Sequence, residues 1–170
     1  MTLKEILVGA VKLNKNLGSS TAVLASLEEP NVMKTTNLGD SGYIIYSASQ
    51  SVIDQNSVVL KKTFRSEEQQ YRFNFPYQCG TGCELPYDAF DNKHEVNPGR
   101  DFVVMGTDGL FDNLYDEDIE KCLHPSIKPI KDQSDVFEFI EPEKAANCIA
   151  NKAYNLSKDK RYMSPFAKGA

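Results

Sequence analysis

The sequence predicts an α+β fold in which helices pack on antiparallel sheet. Three observations carry this. Apolar residues near the N-terminus fall at helical spacing. The middle of the chain holds short β-rich runs divided by turns. The last third returns to helical spacing behind a helix-starting Glu141-Pro142-Glu143. With 170 residues, 41% of them hydrophobic, the chain fits one domain with a real core.

Each element follows from its residues. MTLKEILVGAVKLNKN puts Leu3, Ile6, Leu7, Ala10 and Val11 at helical spacing and predicts an amphipathic helix over 2–15. It has neither the apolar run and cleavage site of a secretory signal nor the arginines of a transit peptide. Gly18, Ser19 and Ser20 break the pattern. Residues 21–27 (TAVLASL) predict a strand, 28–31 a turn and 32–38 (VMKTTNL) a second strand. After the tight turn Gly39-Asp40-Ser41-Gly42, the run Tyr43 to Ser47 completes an expected three-strand antiparallel meander. Residues 48–57 read as a polar loop and 58–64 as a further strand. Residues 65–100 are irregular; Phe73, Phe75, Tyr77, Tyr87 and Phe90 are expected to anchor this segment to the core. Asn97-Pro98-Gly99-Arg100 is a turn. Residues 101–107 predict a strand whose run Phe102 to Met105 is expected to be buried on both faces. A helix is expected near 114–123 and a loop over 125–141. Ala145, Ala146, Ile149, Ala150, Ala153 and Leu156 then form the stripe of a last helix. There is no internal repeat and no flexible linker.

Charge narrows the function. The formal net charge is −5 and no Lys/Arg stripe interrupts it, which argues against nucleic acid as a partner. No apolar run reaches membrane-spanning length. An acidic protein that meets phosphate does so through a bound cation or a local Arg. Of the four cysteines, Cys79 and Cys83 are close in sequence, while Cys122 and Cys148 stand apart. Zinc would need two more ligands, and neither His94 nor His124 sits at finger-like spacing. The thiols are expected to be reduced. Asn155-Leu156-Ser157 is a formal glycosylation sequon.

The stretch FVVMGTDGLFDNLYDEDIE, residues 102–120, concentrates six acids in thirteen positions. Asp108 lies where an apolar strand ends, and Asp112 follows one helical turn later. Such carboxylates suit a hard cation such as Mg²⁺ or Mn²⁺. Alternatively, Asp112 or Asn113 caps the next helix, while Asp116, Glu117 and Asp118 enrich its first turns. For Asp116, Glu117, Asp118 and Glu120 this solvated-helix reading is preferred. A calcium loop starting at Asp108 fails, having Leu110, Asn113 and Ile119 at its third, sixth and twelfth positions. Asp40, between glycines, is either turn chemistry or a carboxylate held rigidly for a cation. Dinucleotide, P-loop, zinc-protease and serine-elbow motifs are absent, and the two histidines give little support to a Ser-His or Cys-His mechanism.

NLGDSG (37–42) and GTDGLFDNL (106–114) resemble two signature motifs of the metal-dependent, type 2C protein phosphatases. GSSTAVLASL (18–27) resembles the strand before the first motif. FNFPYQ (73–78) and YMSPFA (162–167) are similar to the subgroup of the T-cell-activation-type and plant organelle enzymes. The resemblance implies an α/β/β/α sandwich of two antiparallel sheets flanked by helices. It implies hydrolysis of phosphoserine and phosphothreonine by a water held on Mg²⁺ or Mn²⁺. It assigns Asp108 as a metal ligand, and Asp40 and Asp112 as acids of an additional metal site. The family's upstream Asp-Gly motif, its phosphate-binding Arg and its closing Asp-Asp or Asp-Asn strand are not found. Residues 1–170 are therefore expected to form a partial phosphatase domain, weakly active or inactive alone. The alternatives are a non-catalytic pseudophosphatase acting as a binding or regulatory protein, or a structural module. The expected partner is a phosphorylated protein, met by a monomer. The subgroup points to a mitochondrion or plastid, with the cytoplasm open.

Overall fold

The computed structural model describes residues 1–51, 57–83 and 86–170. Along the chain run α1 (Leu3–Leu13), β1 (Ser19–Ser20), β2 (Ala22–Glu28), β3 (Val32–Leu38), β4 (Gly42–Gln50), β5 (Val58–Arg65), β6 (Gln70–Arg72), β7 (Phe75–Pro76) and β8 (Cys79–Gly80). They are followed by β9 (Phe90–Glu95), β10 (Asp101–Gly106), α2 (Asp108–Phe111), α3 (Asp116–Leu123), β11 (Ile127–Pro129), β12 (Phe137–Phe139), α4 (Pro142–Ser157) and α5 (Pro165–Gly169). Helices and antiparallel sheets together make an α+β protein, and no described helix is long and apolar enough to cross a membrane. The chain divides into two compact units, Met1–Tyr43 with Ser66–Asn97 and Ile44–Arg65 with Pro98–Ala170.

The first unit begins with a helix fixed at its start. Thr2 Oγ1 accepts from the Glu5 amide at 3.1 Å, and Glu5 Oε2 accepts from the Thr2 amide at 2.7 Å, a reciprocal cap. The helix buries Leu7 and Val8 and leaves Ile6 exposed, so its apolar stripe is rotated from the predicted one. Each buried side chain contributes about 1.5–3 kcal/mol. Leu7 joins Leu38, Cys79 and Ala89 in the core. The sheet has the order β2-β3-β9, antiparallel throughout, with Ala22 opposite Leu38, Glu28 opposite Val32 and Val32 opposite Glu95.

The second unit holds a sheet of order β10-β4-β5, with β4 and β5 antiparallel and a register shift between Ile45 and Tyr46. Its core joins Ile44, Tyr46, Phe102, Leu114, Ile119 and Ile149, among others. Helix α4 starts with Pro142, tolerated where no amide partner is needed, and buries Ala145, Ile149 and Ala153. Helix α3 is joined to it by the Lys152–Asp118 ion pair at 2.7 Å and by a Cys122–Cys148 disulfide.

Several expectations are corrected. Strands 21–27 and 32–38 do pair, but the third strand of their sheet is β9, not the run from Tyr43. Both edges of β3 are occupied by β2 and β9, so β4 lies in the other sheet. Strand β4 continues to Gln50, into the expected loop; residues 52–56 of that loop lie outside the described residues. Among the expected anchors, Phe73, Phe75, Tyr87 and Phe90 are exposed, and Tyr77 packs on the core. Strand β10 alternates, with Phe102 buried and Val103 and Met105 exposed, so it is not buried on both faces. The expected loop over 125–141 contains the β11–β12 hairpin. Cys122 and Cys148 are bonded; Cys79 and Cys83 are free thiols.

Candidate metal centre

Asp108 is the first residue of α2, directly after β10. The chain can turn this sharply because Gly106 lacks a side chain: a Cβ there would stand 2.6 Å from Leu110 Cδ2. The Thr107 carbonyl accepts from the Leu110 and Phe111 amides at 3.0 and 3.2 Å. Asp108 Oδ1 accepts from the Gly109 amide at 2.6 Å, and the Asp108 carbonyl accepts from the Asp112 amide at 2.7 Å. The Asp112 carbonyl accepts from Phe166 of α5 at 3.1 Å, and Asn113 donates to the Gly109 carbonyl at 3.0 Å. Below the turn, Phe111 is buried with the Arg65 guanidinium 4.9 Å from its ring centre. Asp108 is exposed and Asp112 half-buried, both at one short helix.

Of the next acids, Glu117 is exposed as the solvated-helix reading expects, whereas Asp116, Asp118 and Glu120 are half-buried and paired. Asp116 binds both Lys62 and Arg65, Asp118 binds Lys152, and Glu120 lies 3.5 Å from His124. Asp116, Glu117 and Asp118 do occupy the first turn of α3, where the helix dipole favours negative charge. The cap residue, however, is Tyr115 rather than Asp112 or Asn113. Tyr46 donates to the Asp116 carbonyl at 3.2 Å; burial, then the negative charge of Asp116 and Glu120, pushes its hydroxyl far up.

Asp40 belongs to the first unit and is buried, 8% exposed. Its turn is set by Gly39 at φ +89°, where a Cβ would meet Thr21 Cγ2 and the Tyr77 carbonyl oxygen at 2.4 Å. Gln69, 5% exposed, locks the turn. Its amide donates to the Gly39 carbonyl at 2.9 Å, its Oε1 accepts from the Gly39 amide at 3.3 Å, and its Nε2 donates to the Asp88 carbonyl at 2.7 Å. Ser41 and Thr21 share a 2.7 Å hydroxyl contact, and the Tyr43 amide donates to Ser66 Oγ at 2.9 Å.

Sequence reasoning missed Gln69, Ser66 and a buried network behind this turn. Tyr43 OH lies 2.7 Å from both Thr35 Oγ1 and His94 Nε2. Burial raises the Tyr43 hydroxyl pKa, partly offset by hydrogen bonds from Thr35 and Asn92, and burial lowers that of His94. The one available signal was the alternation of polar residues along each strand, Thr35 and Asn37 on β3 and Asn92 and His94 on β9, with Thr35 opposite Asn92.

Among the described residues, no three His, Cys, Asp or Glu side chains converge on a point for a metal ion. Of the acids expected to hold a metal, Asp108 and Asp112 lie in the second unit, one turn apart. Two carboxylates completed by waters suit Mg²⁺ or Mn²⁺, which favour oxygen and retain water.

No protein-family model matches the chain. It is 35% identical to the protein phosphatase PTC7 homologue of Xenopus laevis, over 98% of this chain and 52% of that protein. It is 34% identical to the human PTC7 homologue, over 91% and 47%, and 31% identical to a probable protein phosphatase 2C of Arabidopsis thaliana, over 98% and 20%. The X-ray structure of the photosystem II phosphatase PBCP superposes with a TM-score of 0.78 at 25% identity, covering 98% of this chain and 57% of that one. Over almost its whole length the chain is thus a relative of the type 2C protein phosphatases, in sequence and in fold. It spans about half the length of the PTC7 homologues it matches.

Proposed function

We propose that these residues form part of a metal-dependent protein phosphatase acting on phosphoserine and phosphothreonine. Asp108 and Asp112 would contribute oxygen ligands, and Asp40 a further acid for an additional metal. The observation that carries this is Asp108 at the first residue of α2, one turn before Asp112, within GTDGLFDNL. A bound Mg²⁺ or Mn²⁺ supplies an acidified water and neutralises phosphate charge. The chain's own part is positioning. The Gly109 amide orients the Asp108 carboxylate, and the amide of Phe166 holds the far end of the turn through the Asp112 carbonyl. The substrate class is a phosphorylated protein, met by a monomer. The family subgroup points to a mitochondrion or plastid.

Since the family's Asp-Gly metal motif is not found in these 170 residues, we propose that they turn over little substrate alone. The second reading is a non-catalytic binding protein, for which the lack of a three-ligand cluster among the described residues speaks. Mn²⁺ titration followed by electron paramagnetic resonance, with hydrolysis of a phosphothreonine peptide, separates the two. The phosphatase reading expects Mn²⁺ binding that Asp108→Asn removes while the fold persists. No binding would favour the second reading. Fast Mn²⁺-dependent turnover by this chain would overturn the expectation of low activity.

A further inference from the structure

We propose that Cys122 and Cys148 form a reversible thiol–disulfide latch that fixes α3 against α4 and so steadies the Asp108 turn. Their α-carbons stand 5.6 Å apart, within bridging range, on helices whose cysteines are 26 residues apart in sequence. The two halves are unequal. Cys122 is buried, 4% exposed, whereas Cys148 lies on the exposed side of α4. A thiolate from solvent therefore attacks at Cys148, and Cys122 is the leaving sulfur. Cys122 leaves as a thiolate and takes up a proton from solvent.

The exchange balances with a dithiol reductant. One reductant thiolate forms a mixed disulfide with Cys148 and releases Cys122. The second reductant thiol closes the reductant's own disulfide and releases Cys148. Two electrons and two protons pass from the reductant to the two cysteines. Glutathione disulfide, taken as the oxidant class, runs the reverse reaction and leaves as two glutathione thiols.

The consequence reaches the turn through a groove of about 750 Å³. Leu123 and Ile149, each next to a latch cysteine, line it, and so do Gly109 and Leu110 of α2. The Lys152–Asp118 ion pair still joins α3 to α4 after reduction, so the reduced chain loosens here without losing the helix pair. The latch stands without the metal reading; only its effect on metal binding rests on that reading.

The test equilibrates the full chain in glutathione buffers of stepped potential, quenches with acid, alkylates free thiols and maps them by peptide mass spectrometry. Metal-free melting of the oxidised and reduced forms follows, then Mn²⁺ titration of each. Cys122 and Cys148 are expected to lose alkylation together, and reduction to lower Tm by roughly 10 °C. Cys148→Ser and Cys122→Ala should melt like the reduced wild type and ignore glutathione disulfide. Reduction should weaken Mn²⁺ binding several-fold. Cys122 and Cys148 both alkylatable at every potential, or neither at any, or equal Tm for both forms, overturns the latch even if a variant fails to fold; Cys79 and Cys83 are free thiols in either form. Equal Mn²⁺ affinity in the two forms removes the link to the turn. Absence of Mn²⁺ binding in both forms overturns the metal reading, and the melting comparison still decides the latch.

Discussion

The turn carrying Asp40 is gripped on every side within its unit, whereas the turn carrying Asp108 is anchored along its backbone and leaves its carboxylate in solvent. Around Asp40, a glycine at φ +89° and a buried glutamine exclude any other path for the chain. Around Asp108, the hydrogen bonds run through carbonyls and amides of 107–113 and Phe166, and the carboxylate accepts from the Gly109 amide. Burying a carboxylate is costly unless its surroundings are polar and fixed, so the first turn must be rigid to exist. The second needs only a firm base. Stability and ligand binding should therefore separate: changes beneath Asp40 act mainly on folding, and a change at Asp108 acts mainly on metal.

The strongest challenge to that contrast is Gly39→Ala. The new Cβ would meet the Tyr77 carbonyl oxygen and Thr21 at 2.4 Å, and backbone cannot swing aside as a side chain can. With the cost of positive φ, the loss should be about 4 kcal/mol in urea unfolding. A loss below about 1 kcal/mol would show that the turn is not locked. Next is Gln69→Leu, which keeps volume but strips partners from the Gly39 amide and the Asp88 carbonyl; about 2–3 kcal/mol is expected. Gly106→Ala sharpens the comparison from the other turn. The nearest atom its Cβ meets is the Leu110 Cδ2 at 2.6 Å, the far end of a side chain that can turn, so about 1–2 kcal/mol is expected. A Gly106→Ala cost equal to that of Gly39→Ala would erase the distinction.

The sequence made the two acidic turns legible because glycines and strand ends mark them directly. The β2–β3 hairpin was legible for the same reason. Strand β9 was not. Its residues, FDNKHE, carry no apolar alternation, since its half-buried positions are Asn92 and His94, which face a polar network. Three consecutive β-rich runs divided by tight turns read as a meander, whereas β9 pairs with β3 from more than fifty residues further on. Gln69 could not be singled out from EEQQ, because only the fold makes one of these four side chains buried. The Cys122–Cys148 pair was hidden because spacing along two helices does not tell which faces meet.

The smallest expected effect concerns pH and lies behind the Asp40 turn. Tyr43, three residues after Asp40, is held by Thr35 and by His94, whose Nε2 stands 2.7 Å from the Tyr43 hydroxyl. Burial keeps the His94 pKa below its ordinary 6.5. Between the folded value and 6.5, the unfolded chain binds more protons than the folded one, so stability rises with pH there. The contribution is fully present above about pH 6.5 and is lost as pH falls through the folded value. Urea midpoints measured from pH 7.5 down to pH 5 should therefore fall more steeply for the wild type than for His94→Gln, which keeps a polar group near Tyr43 but cannot titrate. Carboxylates common to both proteins cancel in the difference between the two curves. Parallel curves would mean that His94 takes up its proton as easily folded as unfolded, and that the network behind Asp40 yields to acid without cost.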